Sequence, residues 1–267
     1  MTRLVLKAEP PVRLAVDGLI PERLAGLSAA AIERLPLALG KRRQAVADWF
    51  RVEPSDGATL EIEGDCRRLD KLGRGMSEGL LRIQGEAGAY LGIGMSGGTI
   101  AVSGSAGYGA AAAMRGGLLR IAGDAGDALG GALPGARGGM RDGTVLVAGH
   151  AGAEAGRRLR RGLLVIGGDA GSCCGAEMVA GTIVLAGRAG AFAGAAMRRG
   201  SILALGGVER VGPTFADGGV HDLIFLRLLA RHLTALGLDG VATRLGGLRR
   251  WTGDAAVGGA GELLVGK

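Results

Sequence analysis

Residues Gly79-Leu80-Leu81-Arg82-Ile83-Gln84-Gly85-Glu86-Ala87-Gly88-Ala89-Tyr90-Leu91-Gly92-Ile93-Gly94-Met95-Ser96-Gly97-Gly98 spell one unit of a repeat that fills residues 57 to 206. The opening glycines of successive units are Gly57, Gly79, Gly98, Gly117, Gly143, Gly162, Gly181 and Gly200, spaced by 22, 19, 19, 26, 19, 19 and 19 residues. A fixed period near 20 with one apolar strand per unit is the pattern of a solenoid, in which each unit buries its face only against its neighbours. Five positions recur together, so glycine abundance alone does not generate the pattern. The expectation is an all-β solenoid, a right-handed parallel β-helix of about 7–8 coils, with a small N-terminal cap and a C-terminal helix.

Within each unit the strand alternates. The second and fourth residues after the opening glycine are Leu81/Ile83, Ile100/Val102, Leu119/Ile121, Val145/Val147, Leu164/Ile166 and Ile183/Leu185. Period-2 geometry points these inward. The residue between them points outward: Glu61, Arg82, Ala101, Arg120, Leu146, Val165, Val184, Leu203. The last four form an aliphatic stripe that a soluble chain rarely leaves bare, so a cover is expected from the helix at 221–238 or from another chain. A Gly-x-Ala-Gly corner follows the strand, as at residues 104–107, 123–126 and 187–190, and then a methionine: Met76, Met95, Met114, Met140, Met178 and Met197, with Leu159 in the remaining unit. An inward thioether column fits a narrow core better than a metal site.

Composition narrows the class. Glycine numbers 54 of 267 residues and proline only 7, which excludes collagen. Apolar residues make up 48% in periodic runs, which excludes disorder, and aromatics only 3%, which excludes a core built on large rings. The net charge of +7 favours an anionic partner. No aromatic-basic platform or recognition helix supports nucleic acid. No run of 18 apolar residues supports a membrane span. Cys66, Cys173 and Cys174 do not make a disulfide framework, and a reduced, cytoplasmic chain is expected.

Three segments are expected: an N-terminal cap over 1–54, the glycine repeat over 55–207, and a loop, helix and tail over 208–267. In the first, Leu4–Leu6 and Val12–Val16 read as strands, Asp17-Gly18 as a turn, and Ser28 as the N-cap of a short helix ended by Pro36. In the last, Leu223, Phe225, Leu226, Leu229, Leu233 and Leu236 mark the apolar side of a helix over 221–238. Residues 240–267 read only as a tail.

Chemistry-bearing residues are few. His150, His221 and His232 show no metal-ligand spacing, and the adjacent Cys173 and Cys174 diverge in a turn, so no catalytic residue and no metal site is assigned in this chain. One feature stands out. The residue after the methionine column is Arg115, Arg141, Arg160 (behind Leu159) and Arg198 in four units, and Arg157, Arg158, Arg161 and Arg199 lie beside them. Stacked like charges repel, and either a splayed solvated face or an anionic partner relieves that.

The combined motif G-x-A-G-x-x-x-G-x-x-M-x-x-G resembles the glycine-repeat domain at the C-terminal end of the glutamate synthase large subunit. It is more closely similar to the C subunit of formylmethanofuran dehydrogenase. The long unit Gly126 to Gly143, the exit through Gly212-Pro213-Thr214-Phe215, and the approach Leu35-Pro36-Leu37 and Trp49-Phe50 carry that closer match. The resemblance covers about residues 30–230. Together with its Arg- and Ala-rich composition it implies a bacterial formyltransferase/hydrolase complex. Such a complex moves a formyl group from formyl-tetrahydromethanopterin to a methanofuran-type carrier and releases formate.

The resemblance implies that the zinc hydrolase and formyl-transfer sites lie on partner subunits, that a further subunit is present, and that this chain is structural. It also adds a polyglutamylated carrier tail to the anions the arginines would meet. Two other functions remain open at this point: a glutamate synthase-like domain of an amidotransferase, and a stand-alone binding module for acidic polymers.

Overall fold

A computed structural model describes residues 2–53 and 59–266; the expected first opening glycine, Gly57, lies outside them. In chain order the strands are β1 (Thr2–Leu6), β2 (Leu14–Ala15), β3 (Pro36–Leu39), β4 (Arg42–Ala45), β5 (Phe50–Glu53), β6 (Thr59–Glu63), β7 (Leu69–Asp70), β8 (Leu80–Gln84), β9 (Thr99–Val102), β10 (Arg115–Ile121), β11 (Asp142–Val147), β12 (Leu163–Ile166), β13 (Thr182–Leu185), β14 (Ser201–Ala204), β15 (Ala216–Val220), β16 (Arg249–Gly253) and β17 (Gly261–Val265). The helices are α1 (Pro21–Leu24), α2 (Ala29–Glu33), α3 (Val46–Trp49), α4 (Ile224–Ala235) and α5 (Asp239–Ala242).

Thirteen strands make one sheet in the order β15-β16-β17-β14-β13-β12-β11-β10-β9-β8-β6-β1-β5. The run from β1 to β17 is parallel, and β5, β16 and β15 add antiparallel strands at its ends. A separate four-stranded sheet, β4-β3-β2-β7, lies in the N-terminal part.

This corrects the expectation of an all-β, right-handed β-helical solenoid. What the chain forms is a large, mostly parallel 13-stranded sheet, a small second sheet and few helices. The physical reason lies in the backbone between strands. Lys71, Tyr90, Gly109, Ala128, Glu154, Cys173 and Phe192 hold one repeat position, and their φ values run from 59° to 69°. Two residues on, the glycines at 73, 92, 130, 156, 175 and 194 are left-handed too. Such residues turn the chain between strands, although Tyr90 N–H still donates to Tyr108 O and Gly92 N–H to Leu72 O of neighbouring repeats. Outside the strand, repeats are joined by isolated bridges, in which Cys66, Ala87, Ala106, Ala125, Ala151, Ala170, Ala189 and Val208 pair in succession, and by individual backbone hydrogen bonds in the turns.

Strand register follows the repeat. Leu60, Leu81, Ile100, Leu119, Val145, Leu164, Ile183, Ile202 and Leu263 stand opposite one another on successive parallel strands, and all are buried. The methionine column and Leu159 are also fully buried in the same core. Thioether chains fill the irregular space between the strand face and the turns.

The outward aliphatic stripe builds a second core. Leu146, Val165, Val184, Leu203 and Leu264 pack with Leu226 and Leu233 of α4 and with Ala242, Leu245 and Leu248. The cover is therefore this chain's own helix pair. At the N-terminus, the Ser28 hydroxyl accepts from Ala31 N–H and caps α2, as the sequence suggests. The segment 240–267, read as a tail, supplies α5, β16 and β17, and β17 continues the parallel ladder beside β14.

Candidate functional site

The arginines form a basic face because repeat register places them there. The Arg141, Arg160 and Arg198 N–H groups donate to the carbonyls of Met114, Met140 and Met178, one repeat back in each case. Arg115 does the same with Met95 O. Each of these methionine carbonyls thus fixes the backbone of the arginine one repeat on, and the long arginine side chain projects to the surface.

Two adjoining clefts open on this face. One, of about 580 Å³, has Arg137, Arg158, Arg160, Arg198, Glu177 and Val257 on its walls. The other, of about 630 Å³, has Arg141, Arg160, Arg161, Arg198 and Arg199. Arg160, Val179 and Arg198 belong to both, so the clefts form one trough with an apolar rung, Val179, between two cationic ones.

The eight arginines singled out in the sequence divide into three groups. Arg141, Arg160, Arg161, Arg198 and Arg199 line the trough, are exposed, and form no ion pair among the described residues. Arg157 and Arg158 are half-buried and already neutralised. Arg157 bonds Glu154 at 3.0 Å and Glu177 at 2.8 Å, and Arg158 bonds Glu177 at 2.7 Å. Hydrogen bonds from Arg157 and then Arg158 hold the Glu177 carboxyl below its ordinary value of 4.5. Arg115 is exposed but lies outside both clefts.

Sequence reasoning missed three contributors. Arg137 sits in the long unit 126–143 and reaches the trough because Arg158 Nη1 donates to Ala136 O at 2.9 Å and pins that segment. Glu177 occupies the repeat position of Arg158, 19 residues later, and comparing columns would have exposed that opposite-charge pair. Val257 arrives from the C-terminal segment. Its 3-10 turn, Ala255–Val257, is held by buried Asp254, whose carboxylate accepts from Ala196 N–H and Ala256 N–H.

The other candidates lie elsewhere. His150 is exposed, and its Nδ1 accepts from Asp169 N–H at 3.0 Å. His221 and His232 are exposed at and on α4. Cys173 is half-buried, while Cys174 is fully buried in the core, and burial pushes its thiol up to about 12. Cys66 holds the alanine position of the bridge ladder, and burial pushes its thiol up to about 12 as well. No group of three or more His, Cys, Asp or Glu residues suited to a metal ion occurs among the described residues. None of the described helices is long and apolar enough to cross a membrane.

No protein-family model matches the chain. The C subunit of the formyltransferase/hydrolase complex Fhc of Methylorubrum extorquens is 50% identical over 265 residues, 99% of each chain. The C subunit of the molybdenum-containing formylmethanofuran dehydrogenase 1 of Methanosarcina barkeri is 32% identical over 93 residues, 33% of this chain and 31% of that one. A chain in the crystal structure of the formyltransferase/hydrolase complex from Methylorubrum extorquens, solved with methylofuran, superposes with a TM-score of 0.93. It is 38% identical over 99% of both chains, a lower figure than in the sequence alignment. At half identity over essentially the full length, the chain belongs to the family of C subunits of the formyltransferase/hydrolase complex.

Proposed function

We propose that this chain is a structural, non-catalytic subunit of a formyltransferase/hydrolase complex. The complex carries formyl groups from formyl-tetrahydromethanopterin through a methanofuran-type carrier to formate. Zinc and the transfer chemistry reside on the hydrolase and formyltransferase subunits. The observation that carries the reading is the full-length match to the C subunit of that complex.

The trough gives this scaffold a second task, which is holding an extended polyanion. Its cationic rungs Arg160 and Arg198 are two repeats apart, about 10 Å at the usual strand spacing. A single compact anion does not span them, whereas a chain of carboxylates does. The polyglutamyl tail of the carrier has that form. The acidic surface of a sister subunit would meet the same rungs, and a bound glutamate oligomer would then fail to compete in the intact complex.

The test compares formate release from formyl-tetrahydromethanopterin by the assembled complex and by the isolated chain. Activity in the first and none in the second is expected. Turnover by the isolated chain overturns the structural assignment.

A further inference from the structure

α4 turns one apolar face to the sheet, and its mixed outer face carries two further large apolar side chains beside Arg227, Arg231 and His232. Leu226 and Leu233 are buried against the sheet stripe, and Phe225, Leu229 and Leu236 pack at its flanks. Yet Ile224 and Leu228, four residues apart on the opposite side, are 76% and 61% exposed, and Val220 just before the helix is 58% exposed. These include the two most exposed large hydrophobic side chains among the described residues. Large apolar side chains clustered on an exposed helix face mark an interaction surface, and the sheet covers only the opposite face.

We propose that this outer face of α4 is the docking surface for another subunit of the complex, one that presents apolar side chains inside an acidic rim. The inference rests on membership of a family of complex subunits. Charge selects the occupant. Beside the apolar pair lie Arg227, Arg231 and His232; the Asp222 carboxylate pairs with Arg227 at 2.6 Å, which leaves Arg231 without an ion pair among the described residues. A second copy docked by two-fold symmetry would repeat this basic face on both sides and set like charges against each other. An acidic rim on a different chain complements it. Arg231 also borders a shallow groove lined by Ala230, Thr234, Ala235, Ala242 and Thr243, where small side chains allow close approach.

The test uses the full chain with its sister subunits. Ile224→Asp with Leu228→Asp leaves circular dichroism and thermal unfolding of the isolated chain unchanged, because both side chains are exposed, and lowers affinity for the other subunits about 100-fold. Arg231→Glu, which lies outside both hydrophobic cores, lowers it about tenfold, and added salt weakens wild-type association. If the double variant misfolds, Arg231→Glu alone decides.

Wild-type affinity in Arg231→Glu together with wild-type affinity in any folded apolar variant overturns the proposal. So does light scattering that shows the substitutions dissolving a dimer of this chain. Loss of binding to anionic phospholipid vesicles with assembly intact overturns it in favour of a membrane surface. Failure of the wild-type chain to recruit any sister subunit would instead remove the assembly reading, a result visible without any substitution.

Discussion

Val165 and Val184 stand opposite each other on β12 and β13, and both are buried, at 2% and 0% exposure, beneath α4. They lie on the outward side of strands whose inward side is already filled by Leu164 and Ile183. The sheet therefore has two buried faces in its later strands, and the C-terminal helices cover one of them. Aspartate at both positions would bury two unpaired charges, at several kcal/mol each, against a total stability of about 5–15 kcal/mol. Val165→Asp with Val184→Asp is expected to abolish cooperative thermal unfolding of the isolated chain. A normal transition would show that α4 lifts away freely.

Close approach between repeats makes some glycines indispensable and others incidental. A Cβ on Gly97 would sit 2.1 Å from the Ser77 carbonyl oxygen of the preceding repeat, which cannot yield without breaking register. Gly97→Ala is expected to cost about 3 kcal/mol. Gly240 in α5 has nothing within 4 Å of its would-be Cβ, so Gly240→Ala is expected to stabilise by about 0.5 kcal/mol. Chemical denaturation of both variants checks the contrast.

Register was legible in the sequence, and topology less so. Alternation after each opening glycine placed Leu81, Ile100 and Leu119 in the core, because every unit repeats the same local geometry. The overall form was not legible, because φ is invisible in a sequence wherever residues other than glycine, such as Tyr90, Glu154 or Phe192, turn left-handed. The sheet's end was also hidden. Leu263 pairs with Ile202 across 61 residues, so no local period announces β17. At the candidate site the arginine column was readable from spacing. The neutralisation of Arg157 and Arg158 by Glu177 of the next repeat is legible only when the charges of successive columns are compared, which the spacing of the arginines alone does not do.

That ion cluster predicts a pH dependence. The folded Glu177 carboxyl lies below its ordinary value of 4.5, so its contribution is present above that pH and is lost as pH falls through the folded value. Glu177→Gln is expected to lower stability by about 1 kcal/mol or less at pH 7, since the side chain is a third exposed. The gap between variant and wild type closes in strongly acidic solution. A gap that widens on acidification would contradict the assignment.

The trough makes a separate prediction. Arg160→Ala with Arg198→Ala removes the two rungs shared by both clefts. Binding of a glutamate oligomer to the isolated chain, followed by calorimetry, is expected to weaken about tenfold or more and to lose part of its salt dependence. The fold is expected to persist, because both side chains are exposed. Arg115→Ala, outside the clefts, serves as the control and is expected to bind normally.

The central claim is that this chain works as a scaffold within a formyl-transferring assembly. Purifying the tagged chain from its native cells and identifying every chain that comes with it tests this most directly. The account predicts a formyltransferase subunit, a zinc hydrolase subunit and one further subunit in fixed proportion. Recovery of the chain alone, or with a flavin and iron–sulfur synthase in their place, would contradict it.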